Sequence, residues 1–219
     1  MIDGTDLPLR WSENENIAWK TAIEGRGHSA PIVWGDRIFL TTAVAGEEIP
    51  GAKAPTHICA GEEFLHPASL GVDKKQTLKV IALDAGTGEI VWSKVAFEGQ
   101  VYDNRHDASS YPSPTAVTDG EPVYTYFGSQ GVYAWDFDGN QAWSADIGQI
   151  KTVGLGVGTS PVLYEDFLIL QVDEGEGPTR FWSLSIAGRG RSRGRRRVQP
   201  RPLGRHLFSS KILRDRCSS

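Results

Sequence analysis

Apolar residues run along this chain in short stretches, and Gly, Pro and Asp punctuate them. The 25 Gly and 12 Pro fall between these stretches rather than inside long periodic ones. That pattern predicts many short strands joined by tight turns, and so an all-β fold. Three segments share one arrangement, in which a small residue and a Pro lead into an apolar strand, a polar turn and a second strand. The first is Ala30-Pro31-Ile32-Val33-Trp34-Gly35-Asp36-Arg37-Ile38-Phe39-Leu40. The second runs from Ser113-Pro114 through Val117 and Asp119-Gly120 to Val123-Tyr124-Thr125-Tyr126. The third is Ser160-Pro161-Val162-Leu163-Tyr164-Glu165-Asp166-Phe167-Leu168-Ile169-Leu170. The pairs Gly-Asp, Asp-Gly and Glu-Asp suit hairpin turns, and a Pro that starts a strand need not donate to the ladder.

A sharper unit follows the hairpins. Ala82-Leu83-Asp84-Ala85-Gly86-Thr87-Gly88-Glu89-Ile90-Val91-Trp92 reads strand, turn, strand, closed by an aromatic. Ala134-Trp135-Asp136-Phe137-Asp138-Gly139-Asn140-Gln141-Ala142-Trp143 repeats it one residue shorter. Ala82 and Ala134 are small where neighbouring sheets would press together, and Asp84 and Asp136 can bond into the turn. Thr87-Gly88, or Asp138-Gly139, supplies a left-handed turn residue, and Trp92 or Trp143 can cover the next unit. Trp19, after Asn16-Ile17-Ala18, reads as the end of an earlier copy.

The third hairpin has no such partner. Pro114 lies 20 residues before Ala134, so Pro161 predicts a third unit starting near residue 181. Instead the chain becomes Arg-rich. The overall charge of −4 hides this split, because residues 183–219 hold ten Arg and one Lys against the single acid Asp215. A basic arm for nucleic acid is one reading of that segment. Out-of-frame translation of GC-rich DNA is the other, and back-translation with synonymous codons weighs one against the other. One codon set for Trp182–Gly194, read from its third base, gives Val-Ala-Leu-Asp-Arg-Arg-Thr-Gly-Lys-Lys-Ser-Trp, with the spacing of Ala82–Trp92. The expected organisation is therefore a repeat domain over 1–182 and a disordered, out-of-frame basic tail over 183–219.

The pattern A-x-D-x-x-T-G-x-x-x-W at Ala82–Trp92 is similar to the tryptophan-docking motif of quinoprotein propellers. The flanking segments resemble the bacterial PQQ-like propeller-repeat family over about residues 7 to 182. They include Leu9-Arg10-Trp11-Ser12, Tyr102-Asp103-Asn104-Arg105-His106 and Tyr126-Phe127-Gly128 with Gly131-Val132-Tyr133. The resemblance implies a partial β-propeller of about three four-stranded blades, from a ring of seven or eight. It implies a non-catalytic scaffold with protein partners, like the outer-membrane assembly factor and its relatives, at the periplasm or cell exterior. The alternative is a fragment of a PQQ-dependent dehydrogenase. Such enzymes hold calcium through Glu, Asn and Asp and place adjacent cysteines under the cofactor. No Cys-Cys pair occurs here, so no cofactor is expected, with PQQ and calcium as the alternative.

Composition narrows the rest. Seven Trp, six Tyr and eight Phe in 219 residues suit one globular domain. No run approaches the roughly 18–20 apolar residues of a membrane span, and Met1–Trp19 carries no secretory signal as written. Cys59 and Cys217 form neither a redox nor a zinc motif and are expected as free thiols. His28, His57, His66 and His106 match no compact ligand set and sit in loop-like sequence. Asp103, Asn104, Arg105 and His106 make a candidate binding loop, because polar groups crowd there just ahead of a strand. The aperiodic stretch Glu47–Gln76 reads as an insertion over one end of the propeller. Gly154-Leu155-Gly156-Val157-Gly158 lacks the Lys and helix of a phosphate loop and reads as a turn.

Overall fold

Alternation with period two governs the middle of the molecule, where every residue of two adjacent strands, Val123–Tyr126 and Val132–Trp135, is buried. A strand buried on both faces must serve two cores. Val123, Tyr133 and Trp135 enter one core with Phe39, Leu78, Val80 and Trp92. Tyr124, Tyr126, Val132 and Ala134 enter a second with Ile147, Leu168 and Leu170. Such a sheet is an interior blade with a neighbour on each side.

The structure is a computed structural model that describes residues 8–59, 61–120, 122–172, 180–185 and 201–203. In chain order its strands are β1 (Ile32–Trp34), β2 (Arg37–Glu48), β3 (His57–Cys59), β4 (Glu62–Phe64), β5 (Ser69–Leu70) and β6 (Lys74–Asp84). There follow β7 (Ile90–Gln100), β8 (Arg105–His106), β9 (Val117–Thr118), β10 (Val123–Tyr126), β11 (Val132–Trp135) and β12 (Gln141–Ala145). The last are β13 (Val162–Tyr164), β14 (Phe167–Val172), β15 (Arg180–Ser185) and β16 (Arg201–Leu203). Three four-stranded antiparallel sheets form in sequence: β1-β2-β6-β7, β9-β10-β11-β12 and β13-β14-β15-β16. The chain is thus all-β, a partial propeller of three blades, with one short 3-10 turn at Gly128–Gln130 among the described residues. Apart from Ser183–Ser185 and Arg201–Leu203, the expected basic tail lies outside the described residues, and so does Cys217.

Pairing register corrects one alignment read from the sequence. Ile32, Phe39, Ala82 and Trp92 form one cross-strand row of the first blade. Val117, Tyr124, Ala134 and Trp143 form the same row of the second. Val162, Ile169, Ser183 and Arg201 form it in the third. Ala116, not Pro114, therefore stands where Pro31 and Pro161 stand, because strand pairing fixes equivalence and a loop Pro does not. The corrected register reveals a relay between blades. Thr115 Oγ1 accepts a hydrogen bond from the Ala30 N–H (3.1 Å), and Ser160 Oγ accepts one from the Thr115 N–H (2.9 Å). Ala30, Thr115 and Ser160 are equivalent positions, so each hydroxyl serves the blade before it.

Candidate binding site at the insertion end

The tryptophan unit is spent on joining blades. Asp84 Oδ1 accepts from the backbone N–H groups of Gly86 (3.0 Å) and Thr87 (2.9 Å) and from the Thr87 hydroxyl (3.2 Å). The Thr87 backbone bond foremost holds the Asp84 carboxyl below its ordinary range, with Gly86, the Thr87 hydroxyl and Arg37 adding to it. Asp136 Oδ1 accepts in the same way from Asp138 (3.0 Å) and Asn140 (2.7 Å). The turn so built receives the preceding tryptophan. Trp19 Nε1 donates to Ala85 O (3.1 Å), and Trp92 Nε1 donates to Phe137 O (2.8 Å). Each indole lies over the turn glycine. Gly88 has φ +74 and Gly139 φ +82, and a Cβ at Gly139 would sit 2.8 Å from the Trp92 ring. Only glycine offers both that backbone and that room. A bulge leaves Val91, and likewise Ala142, unpaired just before each Trp, which turns the ring toward its neighbour.

Polar chemistry gathers at the opposite end of the first blade, where β2 and β6 continue their ladder outward to Ala45↔Gln76 and Glu48↔Lys74. The insertion is therefore shorter than the sequence reading, with β2 and β6 as its legs, and it carries the hairpin β3–β4 and strand β5. His57, expected in a loop, lies in β3 and is 1% exposed. Its Nε2 is 3.0 Å from Asp103 Oδ1. The same carboxylate accepts from the Asn104 N–H (2.7 Å), the Thr152 N–H (2.8 Å) and the Thr152 hydroxyl (3.0 Å). Asn104 Oδ1 accepts from the Val72 N–H (3.1 Å). Of the candidate loop, Asp103 and Asn104 are thus buried and committed within the chain.

Arg105 and His106 are half-buried in β8, which pairs with β5. The Arg105 guanidinium lies 5.7 Å from the centre of the Tyr111 ring, and burial lowers its pKa from the usual arginine value. Burial drives the Tyr111 hydroxyl far above the usual tyrosine range, and that hydroxyl donates to Asp103 O (3.2 Å). His106 stands beside His66 with ring centres 5.2 Å apart. Each Nδ1 accepts a backbone N–H, from Ala108 (3.0 Å) and Ala68 (3.2 Å) respectively. Among the described residues no group of three or more His, Cys, Asp or Glu side chains could hold a metal ion. The Gly154–Gly158 stretch packs on the insertion, with Ser69 Oγ donating to Gly154 O (2.8 Å). Between β3–β4 and β5 opens a cavity of about 580 Å³, reaching from Lys53 to Asn104 and including His57. The sequence offered no signal for the His57–Asp103 pair, whose members lie 46 residues apart.

Four-stranded blades in series, the first docked to the second by a tryptophan, define a β-propeller repeat protein. Residues 72–198 match the family model described as outer membrane protein assembly factor BamB. That match covers more than half of the chain, and the chain belongs to this PQQ-like repeat family. Among solved structures it is similar to the crystal structure of BamB from Moraxella catarrhalis, at 14% identity and a TM-score of 0.34. The likeness covers 75% of this chain and 46% of that one, so the chain spans less than half of that structure's length. No curated protein matches the chain.

Proposed function

We propose that this chain is a non-catalytic, protein-binding propeller module that works without PQQ or calcium, at the periplasm or cell exterior. The observation that carries the reading is the insertion. Asp103 fixes its base through four hydrogen bonds, while Leu65 (62% exposed) and Leu70 (42% exposed) stand out into solvent. Rigid backing under exposed apolar side chains suits a contact surface. The family's description as an assembly factor supports a protein partner from outer-membrane assembly. The test places a photo-crosslinking residue at Leu65 in the full chain, in a bacterial envelope. A discrete crosslink to a component of outer-membrane assembly is expected, and it should vanish when Leu70→Arg is added. Crosslinking that is absent, or that matches an exposed control site at Lys20, overturns the reading. Added PQQ and calcium should leave tryptophan fluorescence unchanged and support no dye-linked alcohol oxidation.

A second reading concerns the chain after about Trp182, which we take as out-of-frame translation. Support comes from register. Ser183 occupies the row position of Ala82 and Ala134, and the alternate frame places its Ala at that position or the next. Sequencing the gene tests it, and a coding strand without the docking motif in the alternate frame removes it.

A further inference from the structure

We propose that a second copy of this chain docks head to tail on the blades, the leading face of one copy's third blade against the trailing face of the other's first. The contact lies away from the exposed leucines of the insertion and does not depend on what binds there. Its pattern is set by the two interfaces inside the chain. Phe39, Ala82 and Trp92 lead from the first blade onto Val123, Tyr133 and Trp135 of the second. Tyr124 and Ala134 lead from the second onto Leu168 and Leu170 of the third. Each leading face therefore fits the trailing face of the blade after it.

Two such faces stay open among the described residues. On the third blade, Ile169 holds the row position of Phe39 and Tyr124, yet it is half-buried where those two are fully buried. Beside it Val162 (58%), Tyr164 (59%) and Phe167 stand exposed. On the first blade, Val33, Ile38, Leu83 and Ile90 form the cross-strand row of the trailing face. Ile38 is half-buried, whereas its equivalents Val123 and Leu168 are fully buried. Val33 (62%) and Ile90 (47%) are exposed, at places where the second blade carries the polar Thr118 and Gln141. Contiguous exposed apolar rows on two complementary faces mark an interaction surface.

The two faces also match in their docking parts. The third blade has Arg201 at the row position of Trp92 and Trp143, so it brings no tryptophan to a following blade. The first blade needs none from it. Trp19 is already seated on that blade's turn, donating to Ala85 O as Trp92 donates to Phe137 O, the equivalent position. The chain's own Arg-rich stretch is a poor rival occupant, because Gly188 to Arg197 consists of Gly, Arg and Ser alone and offers no apolar side chain. A head-to-tail contact made twice closes a pair of copies. Three blades from each give a ring within the range of about four to eight blades that propellers use.

The test is sedimentation equilibrium of the full chain and two variants, Val33→Arg and Tyr164→Arg. The unaltered chain should sediment at twice the single-chain mass. Each variant buries a charge in both contacts of the pair and should raise the dissociation constant at least about tenfold. An equal mixture of the two variants should recover association, because one of its two contacts then joins unaltered faces. Both positions are more than half exposed, so both variants should keep the circular dichroism of the parent. Ile90→Lys and Val162→Lys make the same comparison if either of them misfolds. A single-chain mass up to about 100 μM, dissociation by only one of the two variants, or no recovery on mixing each overturns the proposal.

Discussion

The interface between the first and second blades and that between the second and third are built from equivalent rows and end differently. At the first, Trp92 packs on Phe39 with ring centres 6.0 Å apart and donates its N–H to Phe137 O across the interface. Trp135, on the same side of the second blade, donates to Thr125 Oγ1 (3.1 Å). At the second interface, Trp143 packs on Tyr124 at 5.8 Å, in the same relation as Trp92 to Phe39. Among the described residues its indole N–H has no acceptor and the buried Tyr124 hydroxyl has no partner. The row that should answer Trp143 holds Ser183 and Arg201 where the first two blades have Ala and Trp. Apolar packing therefore persists beside a repeat whose sequence lacks the docking motif, while no matching directional bond forms among the described residues. Burial depends on hydrophobic pattern, which the third hairpin keeps, whereas the bonds depend on a turn of fixed sequence.

The largest expected effect separates the two tryptophans. Trp92→Ala removes a buried ring and its cross-blade bond and should cost about 3–5 kcal/mol. Trp143→Ala removes a half-buried ring with no described acceptor and should cost about 2 kcal/mol or less. Urea unfolding of both variants checks this, and equal costs would erase the contrast. Next in size is the effect of restoring the motif. Replacing residues 182–193 with Val-Ala-Leu-Asp-Arg-Arg-Thr-Gly-Lys-Lys-Ser-Trp should raise the cost of Trp143→Ala by about 1–2 kcal/mol, read as a double-mutant cycle. An unchanged cost in the restored background would remove the frame reading's structural support. The last contrast sets two neighbours in β10 apart, one change costly and the other close to neutral. Thr125→Val orphans the buried Trp135 N–H and should cost about 1–3 kcal/mol. Tyr124→Phe deletes an unpartnered hydroxyl, whose ionisation burial pushes up to about 12, and should be neutral or stabilising by less than about 1 kcal/mol. Thermal scans of the pair test which face of the blade is satisfied.

Much of this architecture was legible because the docking unit is local. Asp84, its turn donors and Gly88 lie within five residues, so their spacing in sequence is their spacing in space. The hairpins were legible for the same reason, but their mutual register was not. Pro114 mimics Pro31 in sequence, while the equivalent position is Ala116, which only the pairing of Tyr124 with Val117 reveals. The bulges at Val91 and Ala142 leave no mark in composition. At the insertion end, crowded polar residues drew notice to Asp103–His106, yet the groups that consume Asp103 come from His57 and Thr152, both over 45 residues away. Local motifs can be read along a chain, and a carboxylate closing three loops cannot.

That carboxylate also bears on how the molecule comes apart. Repeat arrays are close to one-dimensional, with each unit coupled only to its neighbours, so terminal units can fray alone. Here the first blade's insertion reaches the connection between the second and third blades, through Asp103 to Thr152, Ser69 to Gly154, and Lys151 Nζ to Thr56 O (3.0 Å). This next-nearest-neighbour strap ties loss of the third blade's approach to loss of the first blade's crown. Amide protons in the 150–156 connection should then exchange at the rate of the first blade's core, as members of one cooperative unit rather than of a fraying end.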